Sequence, residues 1–291
     1  MKVSRNALYG SLLLLPATVL LWAFTYQPIL TTIINSFYST PRGRRPSRFI
    51  GFEHYATMAA DPVFWKALTN NLIYAAATIP LSIVLALAMA LLVQGSLRGT
   101  TLTRMAFFTP TVLPMVAVAN IWLFFYAPDY GLIDQVLSLF GLGGNNWLGN
   151  RDTALWALIV ITVWKEAGFF MIFYLAGLQQ ISPTLLEAAD LEGASYWQRL
   201  RRVVIPLLMP TTLFIAINAV IGAFRLVDHV VAMTKGGPDN ATMLLLYYLY
   251  QVGFSFWDTN YAAAITVVLL AFLAAIALFQ FGYADKRVHY R

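Results

Sequence analysis

Two groups of ionisable residues lie within or beside long apolar stretches of this 291-residue chain. Lys165 and Glu166 are adjacent near the middle of one stretch, and Arg225 and Asp228 lie three residues apart near the end of another. Charged side chains are costly in lipid and commonly mark a substrate pathway or a coupling site. Adjacent residues project about 100° apart on a helix, so Lys165 and Glu166 cannot face one direction. The sequence predicts either a pathway lined by one of them or a buried pair that fixes helix packing, and Arg225 can pair with Asp228 on a helix surface.

Few side chains of the kind used by enzymes and metal sites are present. The chain has no cysteine, which excludes disulfides, thiolate ligands and thiol catalysis. Its histidines, His54, His229 and His289, lie far apart and lack the spacing of a metal site. A membrane-embedded enzyme would need convergent histidines, cysteines or paired carboxylates in the apolar stretches, and the sequence offers none. No phosphate-binding G-x-x-x-x-G-K-[ST] loop occurs, so an ATP-driven process would require a separate ATPase.

The composition is that of a membrane protein. The chain is 59% hydrophobic and 11% charged, with a mean hydropathy of +0.68, whereas roughly a quarter of the residues in soluble domains are charged. The net charge of +6 does not indicate nucleic-acid binding, because Lys and Arg collect on the cytoplasmic flanks of membrane helices.

Several apolar segments are long enough to span a bilayer, which takes about 20 mostly apolar residues. The six segments are Ala7–Tyr26, Asn71–Val93, Met105–Tyr126, Ala154–Leu178, Pro206–Phe224 and Tyr261–Gly282. Their apolar runs are continuous rather than alternating, which excludes lipid-exposed strands. We therefore predict an all-α membrane protein with six transmembrane helices in a single domain, residues 1–291. The distribution of Lys and Arg predicts that the N- and C-termini are cytoplasmic.

A polar insert, residues 182–205, separates the fourth and fifth predicted spans. Ser182-Pro183 suits the N-cap and first position of a helix. Gly193 suits a helix end, because glycine adopts positive φ without strain. Ser195 and Gln198 match a capping box that begins a second helix. We predict a cytoplasmic helix–turn–helix.

The surface chemistry of the insert favours a protein partner. Glu187 and Asp190 lie on one side of its first helix, and Leu185, Ala188 and Ala189 make a neighbouring face that permits close approach. Arginines follow in the second helix, at Arg199, Arg201 and Arg202. A helix resting on anionic lipid is the alternative, and it explains the arginines but not the acidic side chains.

The insert resembles the EAA motif of ABC importer permeases through Glu187-Ala188-Ala189, Gly193 and Ile205-Pro206. The family usually ends this motif with Ile-x-Leu-Pro, and Val203-Val204-Ile205-Pro206 is a conservative departure. The resemblance extends over nearly the whole chain. Its other matching strings are Phe49–Tyr55, Gly131–Asp134, Asn146–Gly149, Met233–Pro238, Ala241-Thr242, Tyr247–Tyr250, Gln280–Tyr283 and Val288–Tyr290. The pattern is similar to the carbohydrate-uptake class, the first permease of maltose-like and glycerol-phosphate-like systems.

The resemblance implies an ATP-driven, binding-protein-dependent importer in the bacterial cytoplasmic (inner) membrane. Its coupling helices would dock on a cytoplasmic ATPase through Glu187, Ala188, Ala189, Asp190, Gly193 and Ala194. The implied partners are a second homologous permease, two ATPase copies and a periplasmic or lipid-anchored substrate-binding protein. ATP and Mg would bind to the ATPase subunits, and this chain would bind no cofactor or metal.

The resemblance makes a sugar or a sugar-like solute the expected cargo. Aromatic faces and a few fixed polar groups suit such a ligand, although most aromatics in membrane spans serve packing or interface anchoring. The pathway candidates are Asn120, Trp122, Trp164, Lys165, Glu166, Phe170, Tyr174, Asn218 and Arg225. An anionic solute, such as a sugar or glycerol phosphate or a sulfonated sugar, would find charge partners in Lys165 and Arg225. The alternative function is an ion- or proton-coupled secondary transporter that uses Lys165 and Glu166.

Overall fold

The computed structural model describes residues 5–94 and 100–284. Within these ranges the secondary structure is helical apart from isolated bridge pairs in one loop. In chain order the α-helices are α1 (Arg5–Leu21), α2 (Gln27–Asn35), α3 (Glu53–Ala60), α4 (Pro62–Val93), α5 (Thr100–Val112), α6 (Met115–Phe125), α7 (Leu132–Ser138), α8 (Ala154–Gln179), α9 (Pro183–Leu191), α10 (Tyr196–Arg199), α11 (Ile205–Leu207), α12 (Met209–Arg225), α13 (Asp228–Met233), α14 (Leu245–Tyr250) and α15 (Thr259–Ala284). Short π-helical segments lie at Trp22–Tyr26, Leu200–Val204 and Gln251–Ser255. The terminal basic residues that support the predicted orientation, Lys2, Lys286, Arg287 and Arg291, lie outside the described residues, as do Arg98 and Val288–Tyr290.

The described helices provide the predicted number of candidate spans only if one bent pair counts as a span. Those that qualify singly by length and composition are Leu12–Asn35, Pro62–Val93, Ala154–Gln179, Met209–Met233 and Thr259–Gln280. The pair Thr101–Val112 and Met115–Phe125 qualifies only when taken together. The all-helical membrane architecture is therefore confirmed, with five or six candidate spans.

The first predicted span ends too early. Helical structure continues past Tyr26 through a π-helical segment and α2 to Asn35, nine residues beyond the predicted end. Gln27-Pro28 looks like the end of a helix in the sequence. In the structure Pro28 lies in the first turn of α2, where the missing N–H is tolerated.

The third predicted span, Met105–Tyr126, is not one straight helix. Its two halves meet at an angle of 104° between Val112 and Met115. Pro114 has φ −56° and ψ 142°, so it is extended, and it cannot donate a helical hydrogen bond. A proline also disfavours helical geometry in the preceding residue, which ends α5 at this point.

The helical region that contains the fifth predicted span also breaks, just beyond the predicted end at Phe224. The helix α12 stops at Arg225 because Leu226 adopts φ −77° and ψ 116°, and α13 starts at Asp228. The helical register that would bring Arg225 beside Asp228 is therefore absent. Both side chains are exposed, and no ion pair joins them in the described part of the chain.

The chain divides into two compact units. The first comprises Met1–Asp61 and Leu249–Phe272, and the second comprises Pro62–Tyr248 and Leu273–Arg291. In the second unit α4, α5, α8 and α12 pack through small residues such as Ala86, Ala90 and Ala167. Small residues let membrane helices approach closely. At Gly168 the approach is closest, because a Cβ there would clash with the carbonyl oxygen of Phe107 on α5.

Candidate functional site

The first helix of the insert ends in a Schellman motif. Gly193 has φ +76°, and its N–H donates to the carbonyl of Asp190 at 3.0 Å. The N–H of Ala194 donates to the carbonyl of Ala189, also at 3.0 Å. These bonds satisfy helix-end carbonyls and turn the chain sharply. Gly193 therefore sets the angle at which the second helix leaves the first.

The second helix begins with the predicted capping box. The Ser195 N–H donates to Gln198 Oε1 at 2.8 Å, and the Gln198 N–H donates to Ser195 Oγ at 3.4 Å. The expected cap at Ser182 is not made, because its hydroxyl bonds the Thr184 hydroxyl at 2.8 Å instead. Only the second helix thus has a side-chain N-cap.

An ion pair holds the two helices of the insert together. Arg199 Nη1 lies 2.8 Å and 2.7 Å from the carboxylate oxygens of Asp190, across the Gly193 turn. The Arg199 side chain is 29% exposed and that of Asp190 54%, so solvent screens the pair. Asp190, expected to face a partner, is therefore partly used within the insert, and Glu187 remains an exposed acid on that helix.

The insert has a packed face and an exposed face. Leu200 and Val204 are buried in the core of the second unit together with Ala90 and Val93 of α4. The outer face exposes Glu187 and Ala188, together with several large apolar side chains. Those side chains are Leu185, Leu191, Tyr196 and Trp197. The insert is attached to the spanning helices on one side and offers a mixed acidic and apolar surface on the other.

Lys165 lies at the break between α5 and α6. Its ammonium donates to the carbonyls of Pro110 at 3.0 Å, Thr111 at 3.2 Å and Leu113 at 2.7 Å. A helix leaves its last carbonyls without internal partners, and a cation at the C-terminus also complements the helix dipole. An ammonium has three protons, and here all three are donated to the backbone. In this conformation Lys165 stabilises the bend and has no donor left for a solute.

Glu166 lies beside a small cleft between α4, α8 and α12, with a volume of about 10 Å³, which is room for about one water molecule or hydroxyl group. Phe170 shares this cleft, so the structure brings two of the predicted pathway residues together. The wall also carries hydroxyl groups that the sequence analysis missed, at Thr78, Ser82 and Thr162. Thr78 and Ser82 are four residues apart and share a face of α4. This spacing of two hydroxyl residues within an apolar span was the signal in the sequence that could have identified them.

One hydroxyl of this cleft has no protein partner among the described residues. The Ser82 side chain is 1% exposed, and its Oγ makes no hydrogen bond there. Buried polar atoms are nearly always paired, so an exception needs a reason. Thr162 and Thr78 differ, since they bond the hydroxyl and the carbonyl of Tyr74 at 2.6 Å and 2.7 Å, respectively. Ser82 is thus the hydroxyl available to a ligand.

The remaining pathway candidates are dispersed within the second unit. The rings of Trp122 and Trp164 pack edge to face at 5.6 Å, and the buried Tyr174 donates to Thr212 Oγ1 at 3.0 Å. Asn120 is exposed. Asn218 is also exposed and donates to the Phe214 carbonyl one turn back at 2.8 Å. Arg225 is exposed at the end of α12. The structure therefore does not join these residues to the cleft.

Two adjacent asparagines tie loops to α4, and the sequence analysis did not identify them as site residues. Asn71 donates to the Ala223 carbonyl near the end of α12 and accepts from the Leu245 N–H, both at 3.2 Å. Asn70 donates to the carbonyls of Asn240 and Met243 at 2.8 Å and 3.1 Å. Tyr74, one turn later, bonds His229 Nε2 of α13 at 3.1 Å. The signal in the sequence that could have identified Asn70 and Asn71 was the occurrence of two adjacent amide side chains at the start of an apolar span.

Asp134 organises a loop outside the spans. Its carboxylate accepts from the backbone N–H groups of Asn145 at 3.1 Å and Gly144 at 3.0 Å. These donors stabilise the ionised form and lower the pKa of Asp134. The carboxylate fixes the turn at Gly144.

Comparison with known proteins decides the family. The sequence profile of the family described as "Binding-protein-dependent transport system inner membrane component" matches residues 57–290. The chain belongs to this family. It is the permease component of an ABC transport system and not an enzyme, and the predicted stand-alone ion-coupled transporter is disfavoured.

Two relatives and one solved structure place the permease more closely. The sulfoquinovosyl glycerol transport system permease protein SmoG of Agrobacterium fabrum (strain C58 / ATCC 33970) is 33% identical, covering 91% of this chain and 87% of that protein. The lactose transport system permease protein LacF of Rhizobium radiobacter is 34% identical, covering 96% and 94%. The fold matches a bacterial ABC transporter involved in the import of the acidic polysaccharide alginate, with a TM-score of 0.84, 24% identity, and coverage of 98% of this permease and 97% of that chain. The predicted resemblance to ABC importer permeases is therefore confirmed.

Proposed function

We propose that this permease imports a sugar or sugar-like solute, driven by ATP hydrolysis on separate subunits. Membership of a binding-protein-dependent family supports an extracytoplasmic binding protein as the source of solute. Two relatives transport sulfoquinovosyl glycerol and lactose by their names, which supports a glycosidic cargo. ATP and Mg belong to two ATPase copies, and a second homologous permease completes the pathway. The termini and the insert lie on the cytoplasmic side in this proposal.

The insert is the proposed ATPase-coupling element. Its inner side chains Leu200 and Val204 are buried with residues of α4 and α8. A force applied to the insert is therefore transmitted directly to spanning helices. Its outer face combines Glu187 with Leu191, which is 90% exposed. A large apolar side chain beside an acid fits a groove in a protein better than an anionic lipid surface, which repels the acid.

The cleft at Ser82 and Glu166 is the proposed solute contact, and this one observation carries the substrate class. Ser82 Oγ is buried without a protein partner, and Glu166 is a carboxylate that can accept hydrogen bonds from hydroxyl groups. A carboxylate repels an anion, and Lys165 donates its protons to the backbone. The contacts therefore favour a hydroxyl group on a neutral part of the solute at this position. The pathway candidates that do not line this cleft are proposed to contact the solute only in other conformations of the transporter.

The substitution Ser82→Ala tests whether the Ser82 hydroxyl contacts the solute or stabilises the fold. The Ser82 hydroxyl has no described protein partner, so its removal should leave the melting temperature of the complex unchanged or slightly higher. The KM for uptake should rise about fivefold to tenfold, since one hydrogen bond to the solute is worth about 1 kcal/mol. The measurement is sugar uptake into proteoliposomes containing the complete transporter and its binding protein, with Ser138→Ala as the exposed-serine control.

A second variant, Glu166→Gln, keeps the shape of the side chain but removes its charge. It should raise the KM for a neutral sugar and should not raise the KM for an anionic one. An unchanged KM in both Ser82→Ala and Glu166→Gln would remove the cleft from the pathway. The assignment to a neutral group would be wrong if the wild-type transporter bound the anionic sugar more tightly than the neutral one and Glu166→Gln did not change that affinity.

A further inference from the structure

A basic cavity lies in the first unit, within the loop between α2 and α3 and against the start of α15. Its volume is about 670 Å³. Arg42, Arg45 and Arg48 line it, together with His54 and the acids Glu53 and Asp258. This loop is separate from the insert and from the cleft at Ser82, and neither proposed role uses it.

Backbone pairing gives the loop a defined shape. Tyr38 and Phe49 form one antiparallel bridge, and Arg42 and Arg45 form another. The Ser39 N–H donates to the Arg48 carbonyl at 2.8 Å. Residues 38–49 therefore form a hairpin loop that carries its arginines in fixed backbone positions.

The hairpin loop is fastened to the start of α15. Asn260 Nδ2 donates to the carbonyls of Tyr38 and Ser39, each at 3.0 Å. Asp258 accepts from the hydroxyl of Thr40 and from Arg42 Nη2, the latter at 3.1 Å. A site built on a fastened loop loses less conformational entropy on binding than one on a free loop.

The charges on the cavity wall do not balance locally. Asp258 is engaged by Arg42 and Thr40. Neither Arg45 nor Arg48 has a carboxylate within salt-bridge distance among the described residues. The hydroxyl groups of Thr40 and Thr57 are already used, since Thr40 donates to Asp258 and Thr57 donates to the Glu53 carbonyl at 3.0 Å. Arg45 and Arg48 are therefore the two arginines of this wall without an ion pair in the described part of the chain, and Glu53 supplies its other carboxylate.

We propose that this cavity binds an oxyanion group, a phosphate or sulfonate, through Arg45 and Arg48. The planar donor fork of arginine matches the oxygens of such groups and often binds them through two parallel hydrogen bonds. Arg42 is the positioning residue, because its contact with Asp258 holds the hairpin loop in place. The group is carried either by a phospholipid headgroup or by a free solute anion, and these two sources share the same chemistry.

The chain offers a matched control for the total charge. Arg44 lies in the turn of the same hairpin loop and is exposed, but it does not line the cavity. Arg45→Gln, Arg48→Gln and Arg44→Gln each remove one positive charge from the same segment. A general electrostatic attraction would respond equally to all three substitutions, whereas a site responds only to the first two.

The test is binding to the purified full-length complex, measured by calorimetry with inorganic phosphate, inorganic sulfate and glucose 6-phosphate, and with glucose as the uncharged probe. The dissociation constant for the anions should rise about tenfold in Arg45→Gln and in Arg48→Gln and by less than about twofold in Arg44→Gln. Glucose should not bind at this position, and anion binding should weaken as ionic strength rises.

A second arm identifies the source of the oxyanion. The complex is placed in nanodiscs of phosphatidylglycerol or phosphatidylcholine, extracted, and its retained lipid counted by native mass spectrometry. Retention of phosphatidylglycerol that is lost in Arg45→Gln and Arg48→Gln identifies a headgroup, whereas calorimetric binding without retention identifies a solute anion. Equal losses in Arg44→Gln, or no anion or lipid binding at all, would overturn the proposal. If the oxyanion proposal is wrong, the wild-type transporter should still take up sugar. If the proposed function is wrong, the wild-type transporter should show no sugar uptake.

Discussion

Gly193→Val is expected to abolish most ATP-driven uptake while the spanning helices remain folded. Gly193 has φ +76° at the turn between the two helices of the insert, and the position where a side chain would lie is open. The effect of valine is therefore backbone strain, roughly 1–2 kcal/mol or more for a branched residue in this region. The turn relieves that strain by changing the angle between α9 and α10, which displaces the proposed docking face.

The readouts for Gly193→Val are sugar uptake and ATP hydrolysis in proteoliposomes. Uptake should fall by a factor of roughly 10 or more, corresponding to the strain energy, while the complex retains its melting temperature and some uncoupled hydrolysis. Gly193→Asn is the control, because asparagine tolerates positive φ better than other residues with a side chain, and it should retain most of the coupling. Normal coupling in Gly193→Val would mean that the geometry of the turn does not matter.

Lys165→Met is expected to destabilise the membrane domain as well as reduce uptake. The methionine keeps an apolar stem but leaves the carbonyls of Pro110, Thr111 and Leu113 without the ammonium. Lys165 is partly exposed, so water replaces some of the lost bonds. The free energy of unfolding should fall by about 2 kcal/mol, which is a decrease of about 5 °C in melting temperature.

The comparison with Arg225→Gln distinguishes a helix cap from a solute contact. Arg225 is an exposed cation at the end of α12 that has no ion pair among the described residues. Its replacement should leave the melting temperature unchanged. If Lys165→Met instead raised the KM for an anionic sugar with no loss of stability, Lys165 would be a charge partner of the solute. The capping assignment would then be wrong.

The lengths of apolar runs predicted most of the spanning helices, but they did not reveal the breaks. Hydropathy averages over a window and does not respond to the direction of the backbone. Pro114 was a visible signal for the break after α5, since proline ends helices regularly. The break at Leu226 has no proline or glycine beside it, and it became apparent only from the backbone angles.

The partners of charged residues were less predictable than their positions. The contacts of Lys165 come from a helix break more than 50 residues earlier in the chain. Arg199 reaches Asp190 across a turn rather than along one helix face, so the i,i+4 rule did not predict the pair. Of the two predicted side-chain caps, the Ser195 capping box forms, because it depends only on neighbouring residues, and the Ser182 cap does not form. Long-range polar contacts depend on packing that the sequence pattern does not encode.

The most direct test of ATPase coupling through the insert uses site-specific photo-crosslinking. The chain has no cysteine, so Ala188→Cys provides its only thiol for a benzophenone maleimide. Ala188 is exposed on α9, and Ala56→Cys on α3 is an exposed control outside the insert. With the complete transporter under illumination, the probe at position 188 should crosslink to the ATPase subunit, and the probe at position 56 should not. Crosslinking of position 188 to lipid alone, or equal ATPase crosslinking from both positions, would contradict the proposal that the insert docks on the ATPase.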